Sequence, residues 1–246
     1  MKILFKPQLL RQKRLKKGAS TTGSSRRGRM TYITALEDVY SEIDLMKQLH
    51  HPNLVRLHEV IDDPMADKLY LVLSLAELGE SMKWCPSKLI FEPNQRYIFS
   101  DKRQKIFSQP AAEQASGEAY YDEDTIKRIA KGLVDSLDYL HNVKNIVHRD
   151  IKPQNILIDE AGTPCLCDFG KSYKLKTEEE DITTSIEGTY HFLPPECCSF
   201  DVETCSMKKA DVWALGITLY CMTFNRLPFE LGSTEIEIME SICECK

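Results

Sequence analysis

His148-Arg149-Asp150-Ile151-Lys152-Pro153-Gln154-Asn155 is the stretch on which the reading of this chain turns. Thirteen residues beyond Asn155 stands Asp168-Phe169-Gly170, then Gly188-Thr189, Pro194-Pro195-Glu196 and the spaced set Asp211, Trp213, Gly216. Taken alone, Asp150 or Asp168 is an ordinary turn or cap residue, and His-Arg-Asp arises by chance. In this order and at these intervals they form a specific set. The brief apolar runs around them, Ile146-Val147, Ile156–Ile158 and Cys165–Cys167, read as short strands joined by tight turns. Just upstream, Ile126, Ile129, Leu133, Leu137 and Leu140 form one helical stripe that Asp122 is placed to cap. Downstream, Ala210–Phe224 is apolar enough, and long enough, for a buried helix.

The ordered set resembles the catalytic domain of the protein kinases, and the likeness spans roughly residues 1–245. It implies an α+β, two-lobed fold with ATP in the cleft between the lobes. The N-lobe would occupy residues 1–75, as a strand, a basic insert at 8–33, a helix and two strands. The mainly helical C-lobe would occupy 76–246, with a mostly loop-like insertion at 81–121. The transition state of phosphoryl transfer spreads negative charge over oxygens, so catalysis is positioning and charge neutralisation. The resemblance implies that Asp150 orients the incoming hydroxyl and accepts its proton. It implies that Lys152 neutralises the migrating phosphoryl group, as in serine/threonine rather than tyrosine kinases. Asn155 and Asp168 would hold Mg²⁺, a hard cation that takes oxygen ligands. His148 reads as a packing residue beneath the loop, not as a base.

The front of the chain is read the same way. Leu36, Val39, Tyr40, Ile43, Met46 and Leu49 recur at helical spacing and predict a helix over 35–49. Glu42, ahead of His51-Pro52-Asn53-Leu54-Val55, resembles the family's helix glutamate; Glu37 lies too far upstream. Lys2 in Met1-Lys2-Ile3-Leu4 matches its strand-lysine partner, the other reading being a plain terminal charge. Leu54–Ile61 and Leu69–Leu75 predict an antiparallel strand pair. The resemblance sets the adenine against backbone groups of Ser74 and Ala76, with Leu73 as gatekeeper and Leu157 under the ring. Cys167 would line the pocket floor, or else be a small buried apolar residue. Gly18, Gly23 and Gly28 match neither the family's glycine-rich loop nor a Walker loop, and read as linker. The expected N-lobe sheet is therefore incomplete, without its glycine-rich-loop strands. The C-lobe is expected to lack its last helices, leaving Glu196 without an arginine partner in a mostly buried site.

Composition is ordinary for a soluble protein: 246 residues, 42% hydrophobic and 28% charged, with no apolar run long enough for a membrane span. Net charge is −5, unevenly placed: residues 1–36 hold ten Lys/Arg and no acid, leaving 22 basic against 37 acidic residues beyond. A basic arm can serve nucleic acid, anionic lipid or organelle targeting, or be a solvated loop; the solvated loop is preferred, so no nucleic acid is expected. Nine cysteines without a signal peptide read as reduced thiols of a cytoplasmic protein. Lys2, the basic insert, Val39–Ile43 and Leu57–Pro64 resemble the calcium/calmodulin-dependent protein kinase kinases, which implies another kinase as substrate and admits a calmodulin-type regulator. The kinase resemblance implies that Arg149 before Asp150 serves an activation-loop phosphate; Thr183, Thr184 and Ser185 are candidates, Ser185 having the family's usual spacing before Gly188, the other reading being a plain polar loop. The expected activity is transfer of the γ-phosphoryl group of ATP to protein Ser/Thr hydroxyls with Mg²⁺. The alternative is an inactive, kinase-shaped binding module.

Overall fold

A computed structural model describes residues 1–17, 30–100, 121–184, 187–199, 204–229, 232 and 234–244. The chain divides into two compact units, one of Met1–Leu49 with Arg56–Ser74, the other of His50–Val55 with Leu75–Lys246.

The first unit runs β1 (Lys2–Phe5), α1 (Lys6–Arg11), β2 (Lys13–Lys17), β3 (Met30–Thr34), α2 (Ala35–Met46), β4 (Leu57–Asp62) and β5 (Lys68–Leu73). Its main sheet is antiparallel in the order β1-β5-β4, with Leu71 between Lys2 and Val60. The helix starts where the sequence changes from β-formers to a capping box. The Thr34 hydroxyl accepts from the Glu37 amide, and the Glu37 carboxylate accepts from the Thr34 amide at 2.6 Å. Its apolar face puts Leu36 and Ile43 on Leu69 and Leu71 of the sheet. A hydrogen bond from Tyr40 and the Lys6 ammonium hold the Asp62 carboxyl below its ordinary range. The basic insert is not all loop, as the composition suggested. Residues 13–17 pair antiparallel with 30–34, and the Arg14 guanidinium grips Asp38 of α2 at 2.7 and 3.0 Å. Gly18, Gly23 and Gly28 lie outside the described residues.

The second unit begins with β6 (Gly79–Glu80), β7 (Met82–Cys85), β8 (Ile90–Pro93) and α3 (Gln95–Ser100). Within the insertion expected at 81–121 the described residues form the two strands β7 and β8 and the helix α3; residues 101–120 lie outside the described ones. Met82 and Phe91 are buried, and Leu89 turns the hairpin at φ 56°. The short strands hold because Phe91 packs on Trp84 and Phe192, and its amide donates to the Asn225 carbonyl. Next comes α4 (Glu123–Asp138), capped by Asp122, whose carboxylate accepts from the Thr125 amide at 2.8 Å. Ile129, Leu133 and Leu137 of its stripe are buried.

The chain continues through β9 (Ile146–Val147), β10 (Ile156–Ile158), β11 (Pro164–Leu166), β12 (Tyr173–Lys174), β13 (Ile182–Thr183), α5 (Pro195–Cys198), β14 (Cys205–Ser206), α6 (Met207–Phe224) and α7 (Glu235–Glu244). β10 lies between β11 and β6, and β12 pairs with β9, so residues 148–155 and 167–172 leave neighbouring strand ends together. Ile238, Met239 and Ile242 of α7 pack on Leu193 and Cys198.

Two expectations change. Cys197 and Cys205 form a disulfide with Cα atoms 5.7 Å apart, so the cysteines are not all thiols. Glu196 is exposed, so no cost of a buried charge falls on it. Among the described residues, no helix is long and apolar enough to cross a membrane.

Candidate active site

The site is built on the turn after β9, and α6 fixes that turn from below. The Asp211 carboxylate, 1% exposed, accepts from the backbone amides of His148 and Arg149, both at 2.7 Å, and pairs with His141 Nε2 at 2.8 Å. A buried carboxylate needs such donors. Here they hold Arg149 in the left-handed region, at φ 64°. His148 is fully buried. Its Nδ1 faces the Asp150 amide at 3.3 Å and its Nε2 the Cys167 carbonyl at 3.1 Å, which assigns the neutral tautomer with the proton on Nε2. Burial pushes its pKa below the ordinary imidazole value.

This scaffold presents the Asp150 carboxylate, itself buried, to a ring of donors. Thr189 Oγ1 donates to Oδ1 at 2.7 Å, while Lys152 Nζ donates to Oδ2 at 2.9 Å and to Thr189 Oγ1 at 3.0 Å. Asn155 Nδ2 donates to the Asp150 carbonyl at 2.7 Å and reaches Oδ2 at 3.2 Å. Desolvation pushes the Asp150 carboxyl up. The hydrogen bonds from Thr189 and Lys152 and the charges of Lys152 and Lys171 outweigh it, so the group lies below its usual range. At neutral pH it is an oriented anion able to accept a hydroxyl's hydrogen bond.

Asp168 is exposed and takes φ 64°, with the Gly170 amide donating to its Oδ1 at 3.4 Å. Phe169 is buried edge-on against His148, which anchors the turn that carries Asp168. Asn155 is tied to this segment by the Cys167 amide, which donates to its carbonyl at 2.9 Å. One carboxylate and one amide oxygen suit Mg²⁺, which keeps waters and is commonly completed by phosphate oxygens. Among the described residues, no group of three or more His, Cys, Asp or Glu could cage a metal.

The remaining candidates fall in both units. In the first, Lys2 Nζ lies 3.7 Å from Glu42 Oε1; the lysine side chain is 43% exposed and that of Glu42 10%. Leu73 ends β5. The Ser74 amide donates to the Arg56 carbonyl at 2.9 Å. In the second, the Ala76 carbonyl accepts from Gly79, Leu157 pairs with Cys165 and Glu80, and Cys167 is half-buried. Ser185 lies outside the described residues; Thr183 is half-buried and Thr184 exposed.

Sequence reasoning missed Lys171. Its ammonium lies 3.6 Å from Asp150 Oδ1 and donates to the Gly188 carbonyl at 3.0 Å. The signal was local, a cation directly after Asp-Phe-Gly, but its partners Asp150 and Gly188 are 21 and 17 residues away.

With this geometry in view, comparison with known proteins identifies the class. A family model described as the protein kinase domain matches residues 24–246, and the chain belongs to that family. Several of its relatives are named serine/threonine-protein kinases. It is 34% identical to TOS3 of Saccharomyces cerevisiae over 83% of this chain and 34% of the yeast protein. It is 35% identical to GRIK2 of Arabidopsis thaliana over 80% of this chain and 40% of the plant protein. It is 34% identical to SNF1-activating kinase 1 of S. cerevisiae over 85% of this chain and 18% of that protein. The chain thus spans less than half the length of these relatives.

Proposed function

We propose that this chain transfers the γ-phosphoryl group of ATP to serine or threonine hydroxyls of a protein substrate. The observation that carries the reading is the Asp150 carboxylate, buried, anionic and held by Thr189, Lys152 and Asn155. In this reading Asp150 orients the acceptor hydroxyl and takes its proton as the oxygen attacks phosphorus. Lys152 then turns its ammonium to the transferred group. The half-exposed Lys2 ammonium, steadied by Glu42, holds the α- and β-phosphates. The Asp168 carboxylate and an Asn155 side-chain oxygen hold Mg²⁺, which neutralises phosphate charge when bound. Adenine is bound by the Ser74 carbonyl and the Ala76 amide, because the Ser74 amide and the Ala76 carbonyl are used within the protein. The kinase resemblance is what assigns Leu73, Leu157 and Cys167 to its ring. No feature of this geometry favours the inactive alternative.

The substrate we propose is another protein kinase, and the name of SNF1-activating kinase 1 supports it. Phosphorylation at Ser185 belongs to this reading through the kinase resemblance, and a calmodulin-type regulator through the kinase-kinase resemblance; the cytoplasmic setting rests on the cysteine reading, from which the Cys197–Cys205 bridge takes away part of the support.

The test is transfer of labelled phosphate from Mg-ATP to an inactive kinase domain, with Asp150→Asn and Asp168→Asn alongside. Wild-type transfer that drops by about a thousandfold or more in each variant is expected. Undiminished transfer in Asp150→Asn would overturn the reading.

A further inference from the structure

Residue 171 carries a cation to which the motif reading gives no task. Lys171 Nζ faces Asp150 Oδ1 at 3.6 Å and donates to the Gly188 carbonyl at 3.0 Å. Its own backbone is pinned, because the Lys171 carbonyl accepts from Arg149 Nε at 2.6 Å. Gly188 is pressed against the same turn. Its φ is +131°, and a Cβ there would lie 2.8 Å from the Arg149 carbonyl. The next residue, Thr189, donates to the very oxygen that Lys171 faces. One ammonium therefore joins three segments, residues 149–150, 170–171 and 188–189, around the carboxylate.

Exposure alone would make this pair unremarkable, since the lysine side chain is 39% exposed and surface ion pairs contribute little. Two observations set it apart. The Asp150 side chain is only 4% exposed, so water screens the pair from one side only. The second bond, to a backbone carbonyl, fixes the direction of the ammonium, which a lone ion pair does not. A neutral side chain at 171 would leave the Gly188 carbonyl without this donor and Oδ1 with Thr189 but no second cation.

We infer that Lys171 is a positioning residue of the phosphoryl-transfer site, latching the Gly188–Thr189 backbone to the Asp150 carboxylate so that the carboxylate faces the incoming hydroxyl. The inference rests on the reading of Asp150 as proton acceptor. Lys171 acts through that group and through Thr189; it need not touch the substrate.

The experiment compares the full chain with Lys171→Met, Lys171→Arg and Asp150→Asn, using Mg-ATP and a protein acceptor. Lys171→Met is expected to lower kcat by about 10–100-fold, the scale of a small misplacement of a reacting group, with the KM for ATP within about twofold. Lys171→Arg is expected to restore most of kcat. In hydrogen exchange, peptides covering 187–193 should exchange faster in Lys171→Met than in wild type, while those of α2 should not change. A kcat for Lys171→Met within about twofold of wild type, with unchanged exchange at 187–193, overturns the inference. So does a loss that Lys171→Arg leaves unrestored while the melting temperature falls, which marks a merely structural role. Asp150→Asn separates the two readings. If it stays active, the proton-acceptor reading fails; if it is inactive while Lys171→Met is not, only the latch fails. If wild type itself transfers no phosphate, the functional reading fails and the exchange at 187–193 still decides the latch.

Discussion

Asp150 is an anion because of what its neighbours donate, and removing one donor should show in the rate. Thr189→Ala deletes the hydroxyl that bonds Oδ1 and receives Lys152 Nζ. A hydrogen bond to a charged group contributes about 1.5–3 kcal/mol, so turnover should fall about tenfold or more, while Thr189→Ser, which keeps the hydroxyl, stays close to wild type. Initial rates of phosphate transfer check this, and equal rates for the alanine and serine variants would contradict it. His148 gives a second prediction at this scale. Burial depresses its pKa, and burial also depresses those of His51 and His191. The unfolded chain therefore takes up protons near pH 6.5 while the folded chain resists. The stability from these neutral imidazoles is fully present above about pH 6.5 and is lost as pH falls toward the folded values. Melting temperature should drop from pH 7 to pH 5, before the depressed carboxyls of Asp62 and Asp150 begin to act below about pH 4. A melting temperature that rises on acidification across that range would count against it.

Elements were legible to different degrees. Helix α2 was legible by its apolar period, α4 by its stripe and the Asp122 cap, and α6 as an apolar stretch long enough for a buried helix; the Thr34 cap of α2 is seen only in the structure. The hairpin β7–β8 did not. Its strands are four residues each, Pro86 and Pro93 interrupt the pattern, and its turn uses Leu89 at positive φ instead of a glycine. What stabilises it is packing of Phe91 on residues more than a hundred positions away, which no local window contains. A single position of α4 tests how tightly that helix is held. A Cβ at Gly132 would lie 2.6 Å from Asn53 Nδ2 and 2.7 Å from Pro164 Cγ. Although alanine is the better helix former, Gly132→Ala should destabilise by about 1–3 kcal/mol through overpacking. Urea unfolding measures it, and a stabilised variant would show that the helix can move aside.

At the scale of the molecule, the Cys197–Cys205 bridge joins α5 to β14, the strand paired with Ile182–Thr183. It therefore braces the segment between Asp-Phe-Gly and α6. Closing a short loop by a disulfide contributes about 2–4 kcal/mol. Reducing agent should lower the melting temperature, and Cys205→Ser should remove that dependence. Peptide mapping without reductant should recover residues 197 and 205 linked; free thiols at both, with a melt indifferent to reductant, would exclude the bridge. The cysteine count had pointed instead to reduced thiols throughout, because composition reports a compartment and not a distance.

By itself the sequence determined the family and the helices with a strong apolar period, and it named the candidate residues of the site. Those signals lie within a few residues of one another, where backbone geometry alone relates them. Only the tertiary structure decided which groups meet Asp150 from afar. Lys171 converges on it, Asp211 supports its turn from α6, and Gly188 lies where no side chain fits. Such contacts join residues from 21 to 63 positions apart, and their partners are chosen by the packing of strand ends and a buried helix, which no local spacing encodes.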